Sequence, residues 1–239
     1  MKTIQLLVAG AVLLTLATTG CIDDLIIRGN GIAASEVRLT PSFSSVSSEG
    51  NFDVHISSGP ETDVVVHAET NLLPYIETDV RGNNLKIHTR GLKSLRNRLP
   101  IEVFVTVPYL EGVAQSGSGS ITTGFFEGDD FSFVISGSGS IETSVDALSV
   151  DAVVSGSGLL YISGTSRVAD MVISGSGEID AWDLDLRDCD AKISGSGDIW
   201  VYVERRLKAV ISGSGNVFYG GNPVVELQVS GSGGVIHKN

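Results

Sequence analysis

Five aspartates crowd one short stretch, Asp180, Asp183, Asp185, Asp188 and Asp190, and carboxylate oxygens at that density are what a calcium ion takes. The stretch lacks the glycine and terminal glutamate of an EF-hand loop, and it lacks the Gly-Gly-x-Gly-x-Asp nonapeptide of calcium-binding β-rolls. Solvated turns and faces account for it better. The four histidines, His55, His67, His88 and His237, fall on separate strand-like segments with no cysteine or second histidine at metal-ligand spacing. They are read as solvent-facing strand residues, and no metal site is expected. Serine is abundant, but Ser-Gly-Ser-Gly is not the Gly-x-Ser-x-Gly nucleophile elbow, and no Ser-His-Asp set stands out. No copy has the phosphate-cradling spacings that lead into a helix N-terminus. No catalytic residue and no cofactor are expected, and the chain is read as not an enzyme.

The two cysteines differ in kind. The N-terminus, MKTIQLLVAGAVLLTLATTGC, has one Lys, a continuous apolar stretch and small residues before Cys21, the pattern of a secretory signal peptide over residues 1–20. A small residue directly before cysteine resembles a bacterial lipobox, in which that cysteine is diacylated and becomes the new N-terminus, although Thr18 stands where leucine is usual. Ordinary secretion with Cys21 as a free thiol is the alternative. Lipid on Cys21 would leave Cys189 alone, so no intramolecular disulfide is expected in the oxidising exported compartment. Cys189 shares parity with Ala191 and Ile193 and is read as a buried, inert thiol.

Removing residues 1–20 takes away one Lys and shifts the formal charge from −12 to −13, 15 Lys and Arg against 28 Asp and Glu. Nucleic acid and anionic lipid surfaces reward basic proteins, so neither is expected as a partner. The membrane is expected to be met through the lipid on Cys21 alone. Asp23 and Asp24 resemble the acidic signals by which some Gram-negative groups send lipoproteins to the cell surface.

What must position any site is a repeat. Ser-Gly-Ser-Gly begins at Ser116, Ser136, Ser155, Ser174, Ser194, Ser212 and Ser230, in steps of 20, 19, 19, 20, 18 and 18 residues. Helical repeats need roughly 33 residues or more, whereas steps this short fit one coil of a β-helix. Strand side chains alternate between faces, and one face of LKAVISGSGNVFY reads Leu207, Ala209, Ile211, Gly213, Gly215, Val217. The glycines therefore share core parity and the serines point out. Each tetrapeptide is read as a tight corner with no room for an inward side chain, its serines stacking into two ladders at about 4.8 Å. The frame weakens at the first copy, where Gln115 takes an inward slot.

The same parity count picks out one possible surface. Tyr161, Trp200 and Phe218 occupy the sixth position after a corner's first serine, and Trp182 and Tyr202 the eighth. Stacked coils would align these five residues as an outward aromatic stripe, interrupted by Asp180 between Tyr161 and Trp200. Contiguous apolar surface marks interaction sites, and rings edged by acids and hydroxyls suit sugars, whose C–H faces stack on aromatics.

Before the repeats, residues 36–112 have a different texture. Strand-like runs lie around Val54–Ile56, Asp63–Ala68, Ile76–Val80, Leu85–His88 and Ile101–Val107, with hairpin chemistry in Arg81-Gly82-Asn83-Asn84. The basic run Arg90–Arg98 is read as a solvated loop. Residues 21–35 read as a lipid-anchored tether with a Gly29-Asn30-Gly31 turn signal.

Together FSSVSSEGNFDVHISSG, NLLPYIETDVRGNNLKIHT, PIEVFVTVPYLEGVAQSGSGSI and the serial SGSG coils resemble the putative auto-transporter adhesin head GIN domain family. The run Asn71–Ile76 followed by its hairpin is the most specific part. The resemblance implies an exported, often lipid-anchored, all-β protein, and it supplies no catalytic or binding residues.

The expected fold is thus all-β: a short single-stranded parallel β-helix of about seven coils over residues 113–239, capped by an N-terminal β module over 36–112. The expected role is a non-enzymatic adhesion or interaction scaffold of the cell envelope, binding glycan or surface protein through the aromatic stripe. As an outer membrane lipoprotein it would be either surface-exposed or periplasmic. A purely structural periplasmic component is the alternative, and a polysaccharide-degrading enzyme a more distant one because the coils are too short and even to build a cleft. Homo-oligomerisation is a further expectation, since a β-helix end is an open strand edge.

Overall fold

The structure is a computed structural model that describes residues 25–238. The signal-peptide and Cys21 expectations lie outside the described residues. Nine strands precede the repeats: β1 Ile26–Arg28, β2 Ala33–Val37, β3 Ser45–Gly50, β4 Asp53–Ser58, β5 Asp63–Glu69, β6 Ile76–Arg81, β7 Asn84–Thr89, β8 Ser94–Arg96 and β9 Glu102–Val107. Then come β10 Gly112–Gly117, the full coils β11 Ser120–Gly137, β12 Ser140–Gly156, β13 Leu159–Gly175, β14 Glu178–Gly195 and β15 Asp198–Gly213, and finally β16 Asn216–Gly220, β17 Val224–Gly231 and β18 Gly234–His237. The described residues are nearly all β, and the repeats form a parallel solenoid of about seven turns, as the parity of the repeats predicts.

Each coil pairs in parallel with the next, and the register stacks like on like. The first corner serines Ser136, Ser155, Ser174, Ser194, Ser212 and Ser230 form one column. Inward residues such as Phe133, Ala152, Met171, Ala191 and Ala209 form another, all of them buried. A fully buried Val, Leu, Ile or Phe contributes about 1.5–3 kcal/mol relative to exposure, so this filled interior is the main source of stability.

The two glycines of a corner do different work. Gly175, the first, sits at φ +129°, and a Cβ there would lie 2.4 Å from the carbonyl oxygen of Gly156 one coil below. Gly177, the second, has no unusual φ, but its Cβ would lie 2.6 Å from the Gly158 oxygen and 2.5 Å from Val154 Cγ1. Main-chain hydrogen bonds carry the stack through the bend: Ser176 N–H donates to Gly156 O at 2.8 Å and Glu178 N–H to Gly158 O at 2.9 Å.

The solenoid begins earlier than the repeats suggest. β3 and β4 form a complete earlier coil, β3 pairing with β10 and β4 with β11, so the expected boundary at residue 112 falls within a continuous stack. Its corner reads Glu49-Gly50-Asn51-Phe52, where Gly50 keeps the positive φ of +135° opposite Gly117. Phe52 replaces the second glycine and is buried. In the next coil Gln115 Nε2 donates to Gly50 O at 3.3 Å, which gives the polar inward residue a partner. β7 and β9 continue the stack as a split coil. The pairing then turns antiparallel through β6 on β7, β5 on β9 and β2 on β5, which ends the solenoid. The specific run Asn71–Ile76 belongs to this cap: a 3-10 turn at Leu73–Tyr75 brings Leu72, Leu73 and Ile76 into the core.

Residues 26–35 are not a free tether. β1 pairs with β8 inside the basic run, which is therefore partly strand, and β2 pairs with β5. A buried carboxylate holds this segment: Glu69 accepts hydrogen bonds from the backbone N–H groups of Gly31, Arg98 and Leu99. Gly29 is required beside it, because a Cβ there would lie 2.0 Å from Glu69 Oε2. Asn71 adds two bonds, accepting from Asn30 N at 3.0 Å and donating to Arg28 O at 2.7 Å. Burial alone would raise the Glu69 pKa, but the hydrogen bonds from Arg98, Gly31 and Leu99 and the Arg98 charge outweigh it, and the net direction is down. At the other end, core-parity Leu227 of β17 is 63% exposed because no further coil covers it among the described residues.

Gly175→Ala should destabilise by about 1–3 kcal/mol from backbone strain alone, about 2–4 °C in Tm per kcal/mol for a chain this size. Ser176→Ala, at an outward position of the same corner, should stay within about 0.5 kcal/mol; equal effects in thermal melts would contradict the corner geometry. Glu69→Gln should destabilise the protein at neutral pH. Because the folded pKa is depressed, the wild-type advantage is present above the unfolded value of about 4.3 and fades as pH falls through the folded value. Urea melts from pH 7 to pH 3 should therefore show the two proteins converging in acid.

Candidate functional site: an aromatic cluster on the outer face

The outward sixth position is a true column. Tyr161 pairs with Asp180, Asp180 with Trp200, Trp200 with Phe218 and Phe218 with Ile236. Stacking at strand spacing brings the Trp200 and Phe218 rings to 3.9 Å between centroids, at 18°. Ile236, at the sixth position of the last copy, extends the column, a residue that the aromatic count overlooks.

The eighth position departs from simple stacking. Tyr202 pairs with Asp185 below and Gly220 above, whereas Trp182 lies on a bulge that inserts Trp182–Leu184 into β14. That bulge, offset by one extra residue on β15 between Val203 and Arg206, absorbs the difference between steps of 20 and 18 residues. The bulge swings Trp182 against both neighbours, edge-on to Trp200 at 6.3 Å and to Tyr202 at 6.4 Å. Gly220 supplies the space above, since its Cβ would lie 2.7 Å from Tyr202 Cδ2 and 3.0 Å from Trp182 Cη2.

Four of the five expected residues, Trp182, Trp200, Tyr202 and Phe218, thus form one ring cluster. They are half-buried by one another, with Tyr202 the most exposed at 38%. Lys238, at the eighth position of the last copy, places its ammonium 5.1 Å from the Phe218 centroid and 5.9 Å from that of Trp200, within cation–π range. The parity count that found the rings could have found Lys238, but a search for aromatics passes over it.

Tyr161 stands apart, its hydroxyl donating to Asp183 at 2.6 Å. That hydrogen bond, with burial and the charges of Asp183, Asp180 and Glu142, pushes the phenol up to about 12. Glu178, beside Trp200, has its pKa raised by burial and by Asp180 and Asp198, against a hydrogen bond from Trp200 that lowers it. The cluster is therefore apolar at its centre and acidic on the Tyr161 side.

The remaining candidates separate. The five aspartates do not converge on one point: Asp180 accepts from Trp182 N, Asp183 from Tyr161, and Asp190 pairs with Arg206 at 3.1 Å. Asp188 is buried and accepts from Arg205; that bond and the charges of Arg205, Arg187 and Arg206 hold its pKa below the usual range despite burial. Cys189 is buried in the core, and burial pushes its thiol far up, which keeps it protonated. His55 stacks on Phe104 at 5.0 Å, His67 lies tilted against the same ring at 4.8 Å, and His237 stacks on Tyr219 at 4.8 Å. His88 meets Glu77 and Asp79 across the β6–β7 hairpin, a grouping invisible to spacing along the chain.

Fold and site together define a single-chain parallel β-solenoid with an antiparallel cap and an aromatic outer face near its last coils. The chain belongs to the family described as putative auto-transporter adhesin, head GIN domain, which matches residues 42–223. Among solved structures, a putative adhesin from Bacteroides fragilis superposes with a TM-score of 0.83 at 20% identity, over 89% of this chain and 100% of that one. A putative lipid binding protein from Parabacteroides distasonis gives 0.77 at 24% identity, over 90% and 100%. A putative adhesin from Parabacteroides merdae gives 0.71 at 22% identity, over 90% and 99%. At these identities the likeness is one of fold. No curated protein sequence matches the chain significantly.

Proposed function

We infer that this protein is a cell-envelope lipoprotein, anchored through Cys21, that serves without enzymatic chemistry as an adhesion or interaction scaffold. The observation that carries this reading is the cluster of Trp182, Trp200, Tyr202 and Phe218. Three neighbouring coils hold these rings on the outside of a rigid sheet, where they serve no core. Rings flanked by Glu178, Asp180, Asp183 and the Tyr161 hydroxyl offer apolar faces beside hydrogen-bonding groups, the pairing that glycans and protein loops both accept. The names of the relatives support adhesion more than catalysis, but those names belong to the relatives. Lipid binding in the interior is disfavoured here, because Phe133, Leu160, Ile162, Met171 and their neighbours fill it.

Association of two copies is a second reading, favoured by the exposed Leu227 and Val224 on the last coil. A purely structural periplasmic role is the third. Protease treatment of intact cells separates the first from the third. Loss of the folded domain with a cytoplasmic marker intact supports surface display, and protection until the outer membrane is opened removes the adhesin reading.

For the contact surface, Tyr202→Ala is the cleanest variant because its ring is the most exposed of the cluster, and Trp200→Ala is the stronger one. Each should cut binding on glycan and matrix-protein arrays by about tenfold or more, the order of an interface hot spot, with Tyr202→Ala leaving the melting temperature nearly unchanged. Unchanged binding in both variants would sink the aromatic cluster as the contact. Sedimentation of the same proteins reads the second possibility: a wild-type dimer that persists in these variants fits association through the last coil, whereas one that dissociates would make the cluster a self-interface.

A further inference from the structure

The β6–β7 hairpin holds a group of side chains that nothing in the aromatic surface uses. Glu77 pairs directly with His88 across the strands, and Asp79 pairs with Lys86 two residues along. Strand alternation puts these on the face opposite the buried Ile87. One ligand atom each from Glu77, Asp79 and His88 lies within 4.8 Å of the other two. Lys86 turns to Glu49 at 2.9 Å, and Arg90 takes only Oε1 of Glu77, at 2.5 Å, while Oε2 faces His88 Nδ1 at 3.9 Å.

The histidine is set up as a ligand in a further respect. Its Nδ1 lies 3.2 Å from the carbonyl oxygen of Thr89 and its Nε2 lies 3.1 Å from Asp79 Oδ2. A neutral ring carries one N–H, so whichever nitrogen holds it, the other turns its lone pair to an oxygen at hydrogen-bond distance. Two acceptors at that separation repel unless a positive centre lies between them, either a second proton on the ring or a metal ion. In the tautomer with its proton on Nδ1, that proton goes to a main-chain carbonyl and Nε2 is bare beside Asp79, the outer-shell arrangement of metal-bound histidine. Arg90 steadies Oε1 of Glu77, and Oε2 lies on the Nδ1 side of the ring, so Glu77 reaches an ion at Nε2 by turning its carboxylate.

We propose that Glu77, Asp79 and His88 form a divalent transition-metal site on the β6–β7 hairpin. One imidazole and two carboxylates are a donor set suited to zinc, which takes His N and Asp or Glu O at about 2.0–2.2 Å and keeps a water in a fourth position when the protein offers three ligands. Asp79 is the most exposed of the three at 50% of its side chain, and its rotation closes the group onto the ion. Two carboxylates balance the charge of Zn²⁺. β6 is an edge strand of the main sheet, so the ion would brace the end of the cap where hairpin pairing is otherwise one-sided.

The test is titration of the full chain, freed of metal with a chelator, with ZnCl₂ by calorimetry, alongside thermal melts with and without zinc. The expected result is saturable binding of about one ion per chain and a zinc-dependent rise in Tm, since a ligand of the folded state stabilises it. His88→Gln and Asp79→Asn should each weaken binding by about tenfold or more and lose the Tm rise. His237→Gln, which alters a histidine at the far end, should change neither. Melts of the variants in chelator verify that they fold. Absence of saturable binding, or binding that survives both substitutions, overturns the proposal and leaves an imidazolium–carboxylate ion pair in its place.

Discussion

Coils can stack at strand spacing only if the chain can turn a corner while its backbone touches the backbone beneath it. Every other feature of the molecule depends on that approach. At Gly175 and Gly177 the next atom out from the main chain would meet a carbonyl oxygen of the preceding coil at 2.4 and 2.6 Å. With hydrogen at those positions, the N–H groups around the bend reach the oxygens below and the ladder is unbroken. Because each coil then sits in register on the last, inward side chains meet their equivalents and are buried together. The outer face inherits the same order, so any residue type repeated at one position becomes a column.

A stack of this kind has a problem at its ends, where pairing groups and core side chains lack a neighbour. The N-terminal end solves it by changing direction. The coil of β3 and β4 and the split coil of β7 and β9 stay parallel, and then β6, β5 and β2 pair antiparallel and stop the growth. Glu69 secures the outermost segment by an unusual route for a stabilising residue, as a buried carboxylate satisfied by main-chain N–H groups. Backbone donors survive every substitution but proline, so the bonds themselves do not depend on the side chains of the residues that donate them. The last coil has no equivalent device among the described residues, and its core-parity Leu227 and Val229 are exposed.

Function in such a scaffold has to live on the outside, because the interior is full. The aromatic cluster shows how regular stacking and one irregularity combine. Trp200 and Phe218 face each other because they share a column, and Trp182 joins them because a bulge throws it out of its own. The hairpin at the opposite end groups Glu77, Asp79 and His88 by cross-strand pairing instead. In both cases the rigid sheet sets the geometry and the side chains add only the chemistry.

The sequence by itself determined the coil architecture, the inward face and the corner. It did so because those follow from local rules, period two along a strand and glycine where no Cβ fits, repeated in seven copies of Ser-Gly-Ser-Gly. Five strands ahead of the repeats, the Gly82-Asn83 hairpin turn, the burial of Cys189 and the Trp200–Phe218 column were legible for the same reason. Tertiary structure alone decided the rest. The coil at Ser45–Ser58 escaped notice because only Gly50 of its corner is kept, and its place is set by pairing with strands some 65 residues away. The burial of Glu69, the docking of β1 on β8, the displacement of Trp182 and the meeting of His88 with Glu77 and Asp79 depend on which distant segments pair and in what register. Linear spacing carries no record of that register; it is settled only when the whole stack closes around one core.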